Sequence, residues 1–299
     1  MAATAFCPAH VTGFFKAHLK DSVSDTGSMG AGFSIKQGVT TRVRVSPRNG
    51  RSGYRITTTG YRPDKTDVSE FVIREFLKLG EFSGSFLDIK HEIGVPVGYG
   101  LGSSGAVALS LAFALDSALH TGLDRNKIGM IAHNAEVSCK TGLGDVLASF
   151  HGGFEVRVRP GAPGVGSVEM IPADDMSVIM VCFSPISTNK FIKENLSRIN
   201  GLGGRMVDML LESRDCGHFQ DMSLEFARYV NVMTPRMQRL VDDLARNGTK
   251  CGVALFGETV FSMVHKEDEA GVLEILQRHP GGTLIRSELD HVGARVLDN

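Results

Sequence analysis

The amino-acid sequence predicts an α+β fold in two parts, residues 1–183 and 184–299. Three features predict it. Strand-like runs fill the first part, with helical stretches set among them. The segment Pro96-Val97-Gly98-Tyr99-Gly100-Leu101-Gly102-Ser103-Ser104-Gly105-Ala106 feeds a mostly apolar run to Leu119, which reads as a glycine turn entering a buried helix. Beyond Ile186 the chain turns mainly helical before strands return, as in a second α+β part of ferredoxin-like build.

Taken in order, the strand-like runs of the first part are Ala3–Cys7, Val39–Ser46, Tyr54–Thr59, Phe86–Glu92, Gly153–Arg159, Val168–Ile171 and Val178–Phe183. Asp67-Val68-Ser69-Glu70 resembles a capping box, and Val68, Phe71, Val72, Phe76 and Leu79 share one helical face behind it. One helix follows the glycine loop to about Leu119, and another runs from about Asp124 to Lys140. Gly161-Ala162-Pro163-Gly164-Val165-Gly166 reads as a hairpin-type loop, not a linker. In the second part, helices at Arg205–Ser213, Ser223–Val230 and Pro235–Arg246 precede strands Gly252–Phe256 and Thr259–Val264. A helix at Glu267–Arg278 and two short strands finish the chain.

The glycine loop carries the chemistry. Four glycines between Gly98 and Gly105 let the backbone adopt positive φ and approach a ligand closely. A helix N-terminus behind such a loop offers unpaired N–H groups and the positive end of the helix dipole, which together make an anion site. Ser103 and Ser104 add hydroxyls able to reach a phosphate or a magnesium ion. The loop lacks the lysine of a Walker A motif. Gly100, Gly102 and Gly105 do spell G-x-G-x-x-G, but the acid at the required distance, Asp124, has no strand before it, which disfavours a dinucleotide-binding domain.

Composition narrows the class. The chain has 299 residues, 42% of them hydrophobic and 22% charged, with a formal net charge of −1. Such near neutrality disfavours a dedicated nucleic-acid binder. The uncharged stretch from Ile93 to Leu115 is interrupted by glycines and serines, so no membrane span is expected. No signal peptide is visible at Met1–Phe6. The five cysteines are widely spaced and never in C-x-x-C, as in a reduced, cytoplasmic protein.

A second site lies downstream. On the helix to Lys140, Ile128, Ile131, Ala132, Ala135 and Cys139 form an inward stripe, while His133, Glu136 and Lys140 share an adjacent face. That face reads either as a solvated charged surface or as part of a site. Thr141-Gly142-Leu143-Gly144-Asp145-Val146 then presents an acid between a glycine and a helix start. Asp145 is either a catalytic carboxylate or the cap of the next helix.

These segments resemble the GHMP kinase superfamily, whose P-x-x-x-G-L-G-S-S-A-A signature matches Pro96 to Ala106 with Gly105 in place of one alanine. Within it the chain is most similar to the archaeal pantoate kinases. They share an opening like Pro8-Ala9-His10-Val11-Thr12-Gly13-Phe14-Phe15, then Gly27–Gly32, Ala132–Val137, Gly142–Val146 and Gly152–Arg157. The blocks appear in order over roughly residues 6–160. The resemblance implies a GHMP kinase fold, with a ribosomal protein S5 domain 2-like first part and a ferredoxin-like second part.

It also implies ATP and Mg2+ as cofactors and pantoate as acceptor, phosphorylated at its C4 hydroxyl toward coenzyme A. Gly98, Tyr99, Gly100, Leu101, Gly102, Ser103, Ser104, Gly105 and Ala106 would wrap the phosphates. Ser104 and Glu136 would hold magnesium, and Asp145 would meet the acceptor hydroxyl. Ser28 (in a glycine-rich turn), His133, Arg157 and His10 would line the substrate pocket, with Arg157 as the cation for its carboxylate. On the residues alone, Arg157 reads equally as an exposed arginine on an alternating strand, and His133 as a buried structural histidine. Many superfamily members carry lysine where this chain has His10. The third superfamily motif is degenerate here as Cys251–Thr259, which leaves its support to the phosphates unmatched. A homodimer is a family-level expectation. A kinase of another acceptor (mevalonate, homoserine or a sugar) and a nucleotide sensor without turnover remain alternatives.

Overall fold

The structure, a computed structural model, describes residues 1–47, 53–79, 85–186 and 188–297. Its elements in chain order are β1 (Ala2–His18), β2 (Gly27–Pro47), β3 (Gly53–Gly60), α1 (Asp67–Lys78), β4 (Ser85–Ile93), α2 (Ser103–Leu119), α3 (Arg125–Cys139), α4 (Asp145–His151), β5 (Phe154–Arg159), β6 (Ser167–Ile171), β7 (Met176–Pro185), α5 (Thr188–Ser213), α6 (Cys216–Tyr229), α7 (Pro235–Arg246), β8 (Gly252–Ala254), β9 (Gly257–His265), α8 (Glu269–Gln277), β10 (Thr283–Glu288) and β11 (Arg295–Leu297).

Two sheets organise them. The first runs β11-β1-β2-β4-β3, with β5 on the opening half of β2 and β6 on β5. The second is β10-β7-β9-β8. Only β3 and β4 pair in parallel in the first sheet. The 161–166 loop joins β5 to antiparallel β6, as its glycines and proline predict.

Local signals explain most helix ends. Asp124 caps α3 by accepting from the Lys127 N–H, and Thr234 caps α7 ahead of Pro235. The expected capping box at Asp67 does not form. Thr66 occupies the N-cap with φ −111° and ψ 10°, away from the extended geometry that aims a side chain at the backbone, and its hydroxyl bonds Glu70 instead.

Both opening strands are longer than their apolar runs. β1 continues to His18, and β2 begins at Gly27, so Ser28 lies in a strand and not in a turn. Across the irregularity between Pro8 and Ala9, the buried stripe of β1 changes core. Ala3, Ala5 and Cys7 pack with α1 and α2, whereas Ala9 and Val11 pack toward the second sheet. His10 and Thr12 are left facing the glycine loop and α4.

The two parts share a core. Phe33 and Phe154 of the first sheet meet Phe219 of α6 with ring centroids 6.1 and 4.9 Å apart, and Phe33 meets Phe261 of β9 at 5.0 Å. Because β7 belongs to the second sheet, a division by sheet falls before Met176 and cuts differently from residue 183. The last strand, β11, returns to pair with β1. Among the described residues all five cysteines are free, and no helix is long and apolar enough to cross a membrane.

Candidate active site

The glycine loop folds as its composition requires. Gly98, Gly100 and Gly102 have φ of 85°, 79° and 57°, a conformation that other residues rarely adopt. Gly102 is the N-cap of α2, and no side chain caps the helix. The first N–H groups of α2 therefore open into a cleft of about 460 Å³, whose lining includes Val68, Ile93, Val97 and Val107 alongside polar residues such as Lys65 and Asp67.

The degenerate segment 251–259 supports this loop from behind. A Cβ on Gly100 would collide with the Leu255 carbonyl, and one on Gly257 with the Tyr99 backbone. Thr259 Oγ1 donates to the Tyr99 carbonyl at 2.8 Å. The His10 N–H donates to the Leu101 carbonyl at 3.1 Å, and the Ile186 N–H to that of Gly98 at 3.0 Å. The loop is thus held by β1, β9 and the end of β7.

Glu136 stands beside it, fully buried on α3. Thr141 Oγ1 donates to its Oε1 at 2.8 Å, while its Oε2 has no partner. Burial, together with the neighbouring Asp145 charge, pushes the carboxyl up to about 7; the nearby Ser104 hydroxyl and the Thr141 hydrogen bond oppose this. An orphaned carboxylate oxygen next to a serine hydroxyl fits a hard divalent cation whose other ligands are phosphate and water. Among the described residues no group of three or more His, Cys, Asp or Glu side chains forms a metal cage. Gly105, where the signature has alanine, leaves space here, since a Cβ would stand 3.3 Å from Glu136 Oε2 and 3.4 Å from Asp145 Cβ.

Asp145 is the first residue of α4, and the N-cap position belongs to Gly144, with no side-chain cap bond. The capping reading of Asp145 is therefore not what forms. Its Oδ1 receives His10 Nδ1 at 3.0 Å and Thr12 Oγ1 at 3.4 Å. Burial works to raise its pKa, but the His10 hydrogen bond and the His10 and Arg157 charges hold it below the usual value. Asp145 also lines a narrow cavity with Thr12, Phe15, Ser28, Gly142, Leu143, Gly144, Ile192 and Phe256.

The structure brings Ser104, Asp145, Ser28 and residues of the 98–104 loop to one cleft and its adjoining cavity, with Glu136 buried beside them against Gly105 and Gly142. It does not bring the other three residues expected to line the acceptor pocket there. His10 is sealed, with Nε2 on Glu155 Oε1 at 2.8 Å and Nδ1 on Asp145. Arg157 is 0% exposed, because β1, β2 and α4 close over its end of β5. Its Nη1 binds Glu155 Oε1 at 2.6 Å and its Nη2 reaches Thr12 Oγ1 at 3.5 Å. His133 donates from Nε2 to the Thr26 carbonyl at 2.8 Å and fastens the loop before β2, and burial lowers its pKa.

Three participants escaped sequence reasoning. Glu155 shares a strand face with Arg157 two residues on, a legible pairing. Thr12 stands two residues from His10 on β1. Ile192 had no signal, since α5 reaches the cavity only through tertiary packing.

The family model for the GHMP kinases N terminal domain matches residues 68–153. The chain is 32% identical to a pantoate kinase of Methanocaldococcus jannaschii over 276 residues, 91% of this chain and 96% of that protein. It is 27% identical to a pantoate kinase of Thermococcus kodakarensis over 91% of each chain. Among solved structures it resembles one described as a phosphotransferase related to CoA biosynthesis pathway, with a TM-score of 0.89 and 24% identity, covering 99% and 98% of the two chains. The chain belongs to the pantoate kinases, within the GHMP kinase superfamily.

Proposed function

We propose that the chain transfers the γ-phosphoryl group of ATP to the C4 hydroxyl of pantoate, giving 4-phosphopantoate and ADP. The observation that carries this reading is the convergence of an uncapped α2 N-terminus, three left-handed glycines, the buried Glu136 and the half-buried Asp145, in a chain 32% identical to a pantoate kinase over nearly its full length.

The phosphates lie on free N–H groups of the 98–105 segment, and the valines among the cleft's lining take the purine. Ser104 and Glu136 hold Mg2+, which when bound offsets phosphate charge. Asp145 accepts the hydrogen bond of the acceptor hydroxyl. As that oxygen bonds the γ-phosphorus and the bond to the bridging β,γ-oxygen breaks, the proton passes to Asp145 and ADP leaves. The apolar Phe15, Leu143, Ile192 and Phe256 side chains suit the acceptor's two methyl groups, and Ser28 suits a polar oxygen. Arg157 acts on the acceptor from behind, through its charge, since it is fully buried and its Nη1 is held by Glu155.

An ADP-release assay with pantoate, mevalonate, homoserine and galactose tests the reading. Turnover with pantoate at least tenfold above the others supports it. Turnover with another acceptor instead, or ATP binding with no turnover on any, sinks it.

A further inference from the structure

We infer that His10 is a positioning residue for this transfer: it bridges Asp145 to a buried Glu155–Arg157 pair and fixes which oxygen of Asp145 meets the acceptor. The inference rests on the proposed role of Asp145.

The sheet is built to let His10 do this. Thr12 of β1 pairs with Gly32 of β2, and Gly32 pairs with Glu155 of β5, so β2 lies between the His10 and Glu155 strands. The imidazole crosses over β2 at Gly32. A Cβ there would stand 2.5 Å from His10 Nε2 and 2.7 Å from Cε1, so any other residue would block the passage. Through that gap His10 reaches Glu155 at 2.8 Å on one side and Asp145 at 3.0 Å on the other.

Charge alternates along the row. Asp145, His10, Glu155 and Arg157 read negative, positive, negative, positive when the imidazole is protonated, so the row, buried from His10 inward, sums to zero. A neutral imidazole would leave one uncompensated negative charge, which burial penalises. Burial works to lower the His10 pKa, but its hydrogen bonds and charges from Asp145 and Glu155 outweigh this and raise it. Both ring nitrogens then donate, and neither is left for a substrate. The Asp145 bonds fall on Oδ1, which leaves Oδ2 to the acceptor. His10 therefore supplies the cationic contact that a lysine would, anchored in turn by Glu155.

Two isosteric variants separate the roles. His10→Asn places an amide near the Nδ1 position and keeps the donor to Asp145. His10→Gln places it near Nε2 and keeps the donor to Glu155. We expect His10→Asn to stay within about tenfold of wild-type kcat and His10→Gln to lose on the order of 10²-fold, with both KM values within about threefold. Equal kcat in the two, a more active His10→Gln, or a loss confined to the pantoate KM would overturn the inference.

Glu155→Gln covers the case in which either variant does not fold. Its kcat should fall about tenfold at unchanged KM because the anchor loses its charge, and wild-type kcat would overturn the inference. Asp145→Asn, assayed alongside, distinguishes the two levels. A fully active Asp145→Asn removes the premise, whereas an inactive one beside a fully active His10→Gln removes only the role of His10.

Discussion

Gly142 lies so close to Glu136 that a methyl group on it would overlap the carboxylate Oε2. The same position is 3.3 Å from Asp145 Oδ2, so this glycine separates the two acids. Gly142→Ala should push Glu136 away from Ser104 and raise the Mg2+ concentration for half-maximal activity by roughly 10-fold or more. A Mg2+ titration of initial rate reads this directly, and an unchanged titration would place the metal elsewhere.

Asp145→Asn should separate chemistry from folding. The helix is capped at Gly144, so the substitution removes no cap; it removes the charge opposite His10, so Tm should fall modestly while the protein stays folded. Loss of the acceptor's proton partner should lower kcat by about 10²–10⁴. Full activity would remove Asp145 from the mechanism.

Ser104→Ala and Glu136→Gln each remove one oxygen donor for the cation. Glu136→Gln also relieves a buried acid whose ionised form is disfavoured, so the metal-free protein should be no less stable. Turnover should drop strongly in both. Normal rates at saturating Mg2+ in both variants would refute the assignment.

Arg157→Ala should act on stability first. It leaves Glu155 held by His10 alone and the charged row one positive charge short, at a cost of about 3–5 kcal/mol. Chemical denaturation measures this loss. A variant of wild-type stability with only a raised pantoate KM would instead show that Arg157 reaches the acceptor directly.

His91 should make the protein acid-sensitive. It is buried, bonded by Thr41 at 2.8 Å and near Ser69 at 3.2 Å, and burial lowers its pKa to about 4. The unfolded chain binds its proton below about 6.5, whereas the folded chain resists protonation until about 4. Stability is therefore full above about pH 6.5 and falls as pH drops toward 4, by on the order of 3 kcal/mol. His91→Gln should flatten the denaturation free energy across that window. An equally steep profile in the variant would assign the effect to other groups.

Much of the fold was legible because its signals are local. The glycine loop, the buried α2, the Asp124 cap of α3 and the Thr234-Pro235 start of α7 each depend on residues within one or two turns. Asp145 and Glu136 were legible as candidates for the same reason, through their spacing from glycines. Strand extent was not. The polar and glycine-rich stretches His10–Thr12 and Gly27–Gly32 form strands because neighbouring strands complete their hydrogen bonds and α4 covers their polar side chains, and neither partner is near in sequence.

The sequence by itself pointed to the family and set a glycine loop and two acids out as the candidate site. Only the tertiary structure decided where the cations go. An arginine on an alternating strand is exposed when that strand edges the sheet; Arg159 is exposed, and Arg157, two residues earlier, is sealed. The difference is made by β1, β2 and α4, which bury β5 at Glu155–Arg157 and supply the opposite charges that make burial tolerable. His133 was decided the same way, by a carbonyl at Thr26 that lies 107 residues away along the chain and 2.8 Å away in space. Pairing across such separations depends on long-range packing, which no local pattern encodes.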